Sequence, residues 1–347
     1  MQYKNFIGID LSKIVVDLYL IELDKSSSYL GKCKNEKKAI SLFLKKLMKS
    51  NKLSQEDTLI CAEHTGIYSK HLEDVCIKWG YKLWMENPRK IKYSVGISRG
   101  KSDPVDSFRI ADYAKRYSDK VVIFEAKRKV FQELETLTNA RETILHFKNH
   151  LSVQIKECEK FSELQAGILT EAYNEPLQVI SAKLKQLNKQ IDSKIKECND
   201  IEKSISLITS IPGIGRETAL AMVLSTSNFE LFESPEQMAC YAGVAPFVHE
   251  SGSSVRGRTR VSHSANKNLK RLLHMAALSA MRFNDELRTY YVRKVKEGKN
   301  KMSVINALRN KLIHRIFAII KRGTPYVKEQ IKEFSVRPEN SKIFVGI

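Results

Sequence analysis

The sequence predicts an α/β domain with a mixed sheet, followed by a long helical hairpin and a mainly helical C-terminal domain. In the first third, short β-branched apolar runs alternate with helical patterns. Residues 127–172 then contain one glycine and no proline, and apolar residues recur every three or four positions over 184–208. We therefore place domains at 1–125, 126–205 and 206–330, with a polar tail at 331–347.

The first domain begins with two strands. An apolar run over 6–9 ends at Asp10, and a second run over 14–21 follows a three-residue link, which predicts a β-hairpin. Helices and strands then alternate. We expect a helix over 36–50, a strand over 58–62 that ends at Glu63, a helix over 68–79, a strand over 82–85, a loop at Asn87-Pro88 and a helix over 103–117.

The second domain has the pattern of two long helices. Asn174-Glu175-Pro176 is expected to separate them, and the second helix is predicted over 177–208. Its apolar positions have the spacing of a coiled-coil seam, which favours a role as spacer or oligomerisation arm; an ordinary helical subdomain is the alternative. These positions are Leu184, Leu187, Ile191, Ile195, Cys198, Ile201, Ile205 and Ile208.

Positive charge is concentrated near the C-terminus. The 347 residues include 59 lysines and arginines against 39 acids, a net charge of +20. Residues 251–327 hold 18 lysines and arginines and three acids, so they carry +15 of that charge. Such a segment is typical of proteins that bind nucleic acid, although a solvated basic face is also possible.

Composition excludes several classes of protein. The longest apolar runs are far shorter than the roughly 20 residues of a membrane span, and the first residues do not resemble a signal peptide. The six cysteines form no CxxC pair, so we expect neither a zinc site nor a disulfide framework. We therefore expect a cytoplasmic protein with reduced thiols.

Four carboxylates have the spacing of a metal site. Asp10 ends the first strand and Glu63 ends a central strand, while Asp103 and Asp106 are three residues apart on one helix. Carboxylates that converge repel one another and are stabilised by a cation, and Mg²⁺ prefers oxygen ligands. Two such ions can support phosphoryl transfer. The order of elements is that of a ribonuclease-H-type nuclease.

Each acid taken alone has a simpler explanation. Asp10 is compatible with a turn, and Asp103 and Asp106 are compatible with capping the N-terminus of their helix. We consider Asp17 and Asp112 poorer candidates, because Asp17 lies within the second strand and Asp112 lies further along the helix.

A helix-hairpin-helix pattern covers 206–222. The segment Pro212-Gly213-Ile214-Gly215 separates two apolar helical stretches. Gly213 and Gly215 allow a tight turn, and the amide groups at the start of the next helix can bind phosphate without reading sequence. A plain helical turn is the alternative.

A serine-rich loop and a basic helix follow. Ser251 precedes Gly252, and Arg256, Arg258 and Arg260 come soon after. A serine beside arginines is compatible with nucleophilic attack on phosphorus, or with a flexible loop. The helical stretch that follows, NKNLKRLLHMAALSAMR, contributes Lys267, Lys270 and Arg271 as further candidates for nucleic-acid binding.

Together these motifs resemble the insertion-sequence 110 family of transposases, relatives of the Piv DNA invertase. FIGIDLSK, CAEHTGIY and KSDPVD resemble the motifs of that family's RuvC-like DEDD domain, and IPGIG and ACYAGVAPFVHESGSS those of its serine-bearing domain. The resemblance covers nearly the whole chain. Ser251 corresponds to the proposed nucleophilic serine, with Ser253 and Ser254 as alternative registers.

The resemblance implies excision and insertion of a mobile element through serine-linked DNA. It implies a composite active site built from different subunits of a tetramer, and a noncoding bridge RNA that pairs with donor and target DNA. We accordingly predict a Mg²⁺- or Mn²⁺-dependent DNA transposase. The alternatives are a RuvC-like junction nuclease without a covalent intermediate and a nucleic-acid-binding protein without enzymatic activity.

Overall fold

The computed structural model describes residues 3–23, 27–94, 102–251, 255–261 and 265–327. They form two compact units, Met1–Ala126 and Lys127–Ile347. For 248–251 and 255–260 the description concerns the backbone alone. The predicted tail at 331–347 lies outside the described residues.

A mixed sheet forms the centre of the first unit, as expected, and it has five strands. Its spatial order is β3-β2-β1-β4-β5; β1, β2 and β3 are antiparallel, whereas β4 and β5 run parallel to β1. The strands are β1 (Asn5–Leu11), β2 (Val15–Glu22), β3 (Ser28–Lys34), β4 (Thr58–Glu63) and β5 (Lys82–Glu86).

Strand β3 was not predicted from the sequence. It pairs only with β2 and lies at the edge of the sheet, where most of its side chains are exposed or half-buried. An edge strand with no fully buried side chain needs no strict apolar alternation, so its sequence, SYLGKCK, lacks the pattern that identifies a buried strand.

Helices cover both faces of the sheet. One face packs against α1 and α2 and the other against α3 and α4. Helix α3 begins at Pro88, where a loop was expected, because proline suits the first turn of a helix. The four helices are α1 (Lys37–Ser50), α2 (Lys70–Trp79), α3 (Pro88–Ser94) and α4 (Asp103–Arg116).

Strand β1 contributes to both cores by alternation. Ile7, Ile9 and Leu11 pack with the residues of α1 and α2, whereas Phe6 packs with Ile110 and other residues of α4. Asp10 therefore belongs, with Phe6, to the face of the sheet that α4 covers.

Gly8 allows α4 to lie directly on β1. A Cβ atom at Gly8 would be 2.2 Å from the carbonyl oxygen of Ser107 and 2.3 Å from the amide nitrogen of Ala111. Only a residue without a side chain tolerates this approach, because both contacts are with backbone atoms. The contact places the first turn of α4 beside the end of β1.

The second unit is mainly helical, as expected, and contains one β-hairpin. Its helices are α5 (Lys129–Glu159), α6 (Glu163–Lys196), α7 (Asn199–Thr209), α8 (Arg216–Thr226), α9 (Pro235–Tyr241), α10 (Lys267–Phe283), α11 (Asp285–Lys296) and α12 (Lys301–Arg322), and the hairpin strands are β6 (Pro246–Ser251) and β7 (Val255–Val261).

Helices α5 and α6 form the predicted long hairpin, but the breaks lie elsewhere. Helix α6 continues through Pro176, which is exposed; the turn between the two long helices lies at 160–162 instead, and a second break lies at Glu197 and Cys198. The packing of α6 along α5 compensates for the stability lost with the hydrogen bond that a proline removes. What was expected as one helix over 177–208 is therefore the end of α6 followed by α7.

The predicted seam closes within the chain. Leu187, Ile191 and Ile195 are buried, and the last two share a core with Phe131 and Leu134 of α5. These residues of α6 therefore stabilise the hairpin itself. Their burial requires no second subunit.

The β6–β7 hairpin was not predicted, since its residues were taken for a loop. The two strands pair antiparallel, with Ser251 opposite Val255 and Pro246 opposite Val261. The signal for a strand was present in VRGRTRV, where arginines alternate with other residues.

Two exclusions concern the described residues. Within them, no helix is long and apolar enough to cross a membrane. The thiols of all six cysteines are free.

We expect Gly8→Ala to destabilise the protein by about 2–3 kcal/mol, because the added methyl group overpacks the contact with α4. Gly167→Ala is the control: this helical glycine has open space around its Cβ position, so alanine should stabilise by roughly 0.5–1 kcal/mol. Urea unfolding measures both. A Gly8→Ala protein as stable as wild type would contradict the close contact.

Candidate active site and nucleic-acid interface

Two predicted carboxylates lie at the same edge of the sheet. β1 and β4 are parallel neighbours in which Ile9 is opposite Ala62, and Asp10 and Glu63 come directly after that pair. The carboxyl ends of parallel strands meet at one edge, which is where α/β proteins commonly bind ligands. The sequence prediction that strand ends bring these acids together thus agrees with the register.

Both carboxylates also share a face of the sheet. Leu59 and Cys61 of β4 belong to the core beneath α4, as Phe6 of β1 does. Because side chains alternate along a strand, Asp10 and Glu63 lie on this same face.

The other two predicted acids are in the first turn of α4. Asp103 opens the helix and Asp106 follows one turn later. Negative charge is favourable at a helix N-terminus, which offsets part of the repulsion among these side chains. Ser107, the next residue, is fully buried at the Gly8 contact and holds this turn against β1.

The pKa of Asp10 shows that these carboxylates interact. Burial raises this pKa from 3.8, and the charges of Asp106, Asp103 and Asp17, in that order, raise it further, to about 6. The N-terminal turn of α4 and the end of β1 therefore place negative charges within electrostatic range of one another.

Asp17 lies closer to the site than the sequence suggested. It is directly opposite Asp10 in the antiparallel pair of β1 and β2, and it is buried. Its Oδ1 accepts a hydrogen bond of 2.5 Å from the hydroxyl of Tyr29. Asp17 thus adds charge beside Asp10, and its hydrogen bond ties it to β3.

Two of the acids on α4 form ion pairs with arginines of the same helix. Arg109 Nη1 is 2.7 Å from Asp106 Oδ1, which partly compensates the charge of Asp106. Asp112 pairs with Arg116 on the same helix and does not contribute to the raised pKa of Asp10. The ranking of Asp112 below Asp103 and Asp106 agrees with this arrangement.

Glu86 is a strand-end carboxylate that the sequence analysis did not single out. It ends β5 opposite Glu63 and is only 7% exposed. It accepts hydrogen bonds from the amide of Asn87 at 2.7 Å and the hydroxyl of Tyr113 at 3.1 Å, and Lys90 Nζ is 3.2 Å away. These partners make Glu86 a link between β5, α3 and α4. Its position at the end of an apolar strand, like that of Glu63, was the available signal.

The carboxylates offer a cation oxygen ligands and negative charge, but among the described residues they do not form a closed cluster. Within the part of the chain that the structure describes, no three histidine, cysteine, aspartate or glutamate side chains are grouped closely enough to hold a metal ion. Mg²⁺ usually keeps several waters and binds through one or two carboxylates together with substrate phosphates. The charge that raises the pKa of Asp10 is also of the kind that a cation neutralises.

Ser251 is the last residue of β6. Its backbone pairs with that of Val255 across the hairpin, and His249 pairs with Gly257. Ser253 and Ser254 lie outside the described residues. The candidate nucleophile is thus at a strand end rather than in the loop expected from the sequence.

The three candidate arginines occupy alternate positions of β7. Arg256 is opposite Glu250 and Arg260 is opposite Phe247, with Arg258 between them on the same strand. The basic cluster and Ser251 therefore belong to one hairpin.

The two glycines of the predicted helix-hairpin-helix differ in their surroundings. Gly213, in the turn between α7 and α8, has a positive φ of 96°, and a Cβ atom there would be 2.4 Å from the Cα of Ala280 on α10. Packing alone thus explains Gly213. Gly215 is exposed directly before α8 and has open space around it, so it is the better placed of the two for contact with phosphate.

The candidate residues of α10 also differ. Lys267 and Arg271 are exposed, and Arg271 donates a hydrogen bond of 2.7 Å to Asn268 and pairs with Glu142 at 3.6 Å. Lys270 is half-buried, and burial together with the charge of Arg309 lowers its pKa.

Comparison with known proteins identifies two family regions. Residues 205–292 match the model described as Transposase IS116/IS110/IS902 family, and residues 7–158 match the DEDD transposase model of IS110 elements. The first match contains Ser251 and the α7–α8 turn, and the second contains all four predicted carboxylates.

The chain is also similar to individual proteins. The chain is 27% identical to the pilin gene-inverting protein of Moraxella bovis and 28% identical to that of Moraxella lacunata, each over 94% of this chain and 98% of the relative. It is 32% identical to the IS110 insertion element 43.6 kDa protein of Streptomyces coelicolor over 35% of this chain and 29% of that protein.

The raised pKa of Asp10 predicts a pH-dependent effect of Asp10→Asn. Because the folded-state pKa exceeds the ordinary value of 3.8, ionisation of Asp10 destabilises the fold; the penalty is absent below about pH 4, grows up to about pH 6 and is constant above it. Asp10→Asn should therefore raise the melting temperature more at about pH 7.5 than at about pH 4.5.

Asp112→Asn is the matched control for this measurement. It makes the same chemical change on α4 but removes an ion pair with Arg116, so the melting temperature should fall slightly or stay constant at neutral pH. An effect of Asp10→Asn that is independent of pH would contradict the interaction among the carboxylates.

Proposed function

The chain belongs to the IS116/IS110/IS902 family of transposases, and we propose that it excises and inserts a mobile DNA element with a divalent-metal carboxylate site and a serine nucleophile. The enzyme is a DNA transposase or recombinase, since both regions of the family match and the pilin gene-inverting relatives align along nearly their whole length. The observation that supports the metal site is the placement of the acids: Asp10 and Glu63 end neighbouring parallel strands on the face that α4 covers, and Asp103 and Asp106 lie in the first turn of α4.

The proposed metal ligands are Asp10, Glu63, Asp103 and Asp106. A bound Mg²⁺ or Mn²⁺ would neutralise negative charge on a scissile phosphate and orient it. Asp10 and Glu63 approach from the strand ends, and the two other acids approach from α4. Arg109 restricts Asp106 through its ion pair, so the side chain of Asp106 would be oriented before substrate binds. The sheet order, with this site on the α4 face, supports a RuvC-like domain.

The proposed nucleophile is Ser251. Its Oγ would form a bond to a DNA phosphorus while the bond to a deoxyribose oxygen breaks; the serine proton would pass to a base, and the released sugar oxygen would take up a proton. Reversal with another sugar hydroxyl would rejoin the strand and release serine. Arg256, Arg258 and Arg260, on the paired strand, are proposed to bind the phosphate.

Nucleic acid would bind mainly to the second unit. The proposed contacts are Gly213 and Gly215 of the α7–α8 turn, and Lys267, Lys270 and Arg271 of the segment that carries +15. We also propose a noncoding guide RNA that selects donor and target DNA. The resemblance of the motifs to the family supports the proposal of a guide RNA. We expect this RNA to copurify with the protein.

A homo-oligomer, either dimer or tetramer, is proposed to form through the turn of the α5–α6 hairpin. Phe161 in that turn is 88% exposed, and Leu164 and Ile168 at the start of α6 are also exposed. Leu164 and Ile168 are four residues apart and so share one face of the helix. An apolar face of this kind favours contact with another copy of the chain.

Loss of one metal ligand should abolish DNA cleavage without unfolding the protein. For Asp103→Asn and Glu63→Gln we expect metal-dependent cleavage to fall at least about 100-fold, because each removes a charged ligand. The melting temperature should stay constant or rise as repulsion decreases. MgCl₂ should stabilise wild type but stabilise Asp103→Asn less.

The control Asp112→Asn should retain cleavage. A large loss of stability in both variants would instead indicate structural caps.

Ser251→Ala should abolish a covalent protein–DNA adduct. A suicide DNA substrate, a denaturing gel and peptide mapping would detect the phosphoserine bond in wild type. Folding and DNA binding should change little, since a hydroxyl contributes about 1 kcal/mol. Ser253→Ala and Ser254→Ala are the controls and should retain the adduct. If Ser251→Ala recombines normally, the protein is better described as a hydrolytic junction nuclease.

Introducing negative charges at the turn of the α5–α6 hairpin should reduce the number of subunits in the assembly. We expect Leu164→Glu combined with Ile168→Glu to give a smaller species in sedimentation velocity, because the charges would be desolvated in an apolar contact. Leu231→Glu, at another exposed leucine of the same unit, is the control. An unchanged assembly of folded protein would leave the hairpin as a spacer.

A further inference from the structure

A buried arginine of α12 has no acidic partner. Arg309 is 7% exposed, yet no carboxylate forms an ion pair with it among the residues whose side chains the structure describes. Its Nη2 is 2.6 Å from Nδ1 of His274 and its Nη1 is 3.5 Å from Oδ1 of Asn306. Its Nε is buried without a hydrogen-bond partner among the described residues. Arginine stays protonated in proteins, so a full charge is buried against neutral acceptors.

A second cation lies beside this arginine. Lys270 and His274 are four residues apart on one face of α10. Burial and the charge of Arg309 lower the pKa of both side chains, and the 2.6 Å contact joins His274 directly to Arg309. Because a guanidinium only donates hydrogen bonds, Nδ1 of His274 accepts, and the proton of the neutral ring is on Nε2. The cluster therefore combines two cations with a further donor.

The cluster is next to the base of the β6–β7 hairpin. Nδ2 of Asn306, one turn before Arg309 on α12, donates a hydrogen bond of 2.7 Å to the carbonyl of Val244, two residues before β6 begins. On the other side, the amide of Asn266, which caps α10, donates to the carbonyl of Tyr241 at 3.0 Å. The chain thus enters and leaves the Ser251 hairpin beside these side chains.

We propose that Lys270, His274 and Arg309 form an anion site that takes one non-reacting phosphate of the DNA backbone. A phosphate oxygen would supply the negative charge that the two cations lack and would accept hydrogen bonds from them and from His274. The site would anchor a strand at the base of the hairpin that carries the nucleophile. This inference rests on the proposed function in taking DNA as the source of the phosphate.

The first test uses inorganic phosphate as the probe. The melting temperature of the full-length protein is measured in sodium phosphate and in sodium chloride at equal ionic strength. Wild type should melt higher in phosphate, and Lys270→Gln should lose most of this difference. Lys203→Gln removes an exposed lysine of α7 and is the control that keeps the difference. Arg309→Gln should behave as Lys270→Gln does. If Arg309→Gln fails to fold, Lys270→Gln still decides the test, because that residue is only half-buried.

The second test measures affinity for a short DNA duplex without divalent metal over a range of salt. Lys270→Gln should weaken binding by about tenfold and reduce the log–log salt slope by about one, as expected for one phosphate contact. Lys203→Gln should leave both quantities unchanged. An RNA hairpin of equal length is the second arm, and weakening confined to RNA would overturn the assignment to DNA.

Three other results have distinct meanings. Equal phosphate responses in wild type and Lys270→Gln would overturn the anion site. A lost phosphate response with unchanged DNA binding would show that only free phosphate binds, which also overturns the assignment to DNA. If wild type neither cleaves DNA nor forms an adduct, but Lys270→Gln still weakens DNA binding, the proposed function fails while the anion site stands.

Discussion

The close contact between Gly8 and α4 is the constraint on which the carboxylate site depends. Because Gly8 has no side chain, the backbone of α4 at Ser107 and Ala111 can lie directly on β1. This contact puts the first turn of α4 beside Asp10, two residues further along the strand. A helix held further away by a Cβ atom would leave Asp103 and Asp106 less able to interact with Asp10.

Both units contain like charges that the described side chains compensate only in part. In the first, Asp10 interacts with Asp103, Asp106 and Asp17, and Arg109 forms an ion pair with Asp106. In the second, Arg309 and Lys270 are close together near His274. Such arrangements reduce stability, and proteins retain them where function benefits. Under the proposed function, a divalent cation would supply the opposite charge in the first unit, and a DNA phosphate would supply it in the second.

The long helices illustrate how packing overrides local signals. Pro176 would end an isolated helix, yet α6 continues through it because α5 supports it along its length. The seam residues Leu187, Ile191 and Ile195 are buried within the unit, whereas Phe161 at the turn is exposed.

The sequence predicted the mixed sheet, the helix that bears Asp103 and Asp106, the strand ends at Asp10 and Glu63 and a long helical hairpin, but not the position of the turn in that hairpin. These features follow from local periodicity and from chemistry-bearing residues at element ends, which spacing reveals. It did not reveal β3, whose edge position needs no apolar alternation, or the β6–β7 hairpin. Only the tertiary structure showed why Gly8 is required, that Glu86 has its own partners and that Arg309 meets His274, 35 residues away in sequence. Those features depend on which surfaces pack together, and contacts between distant residues leave no periodic signal in the chain.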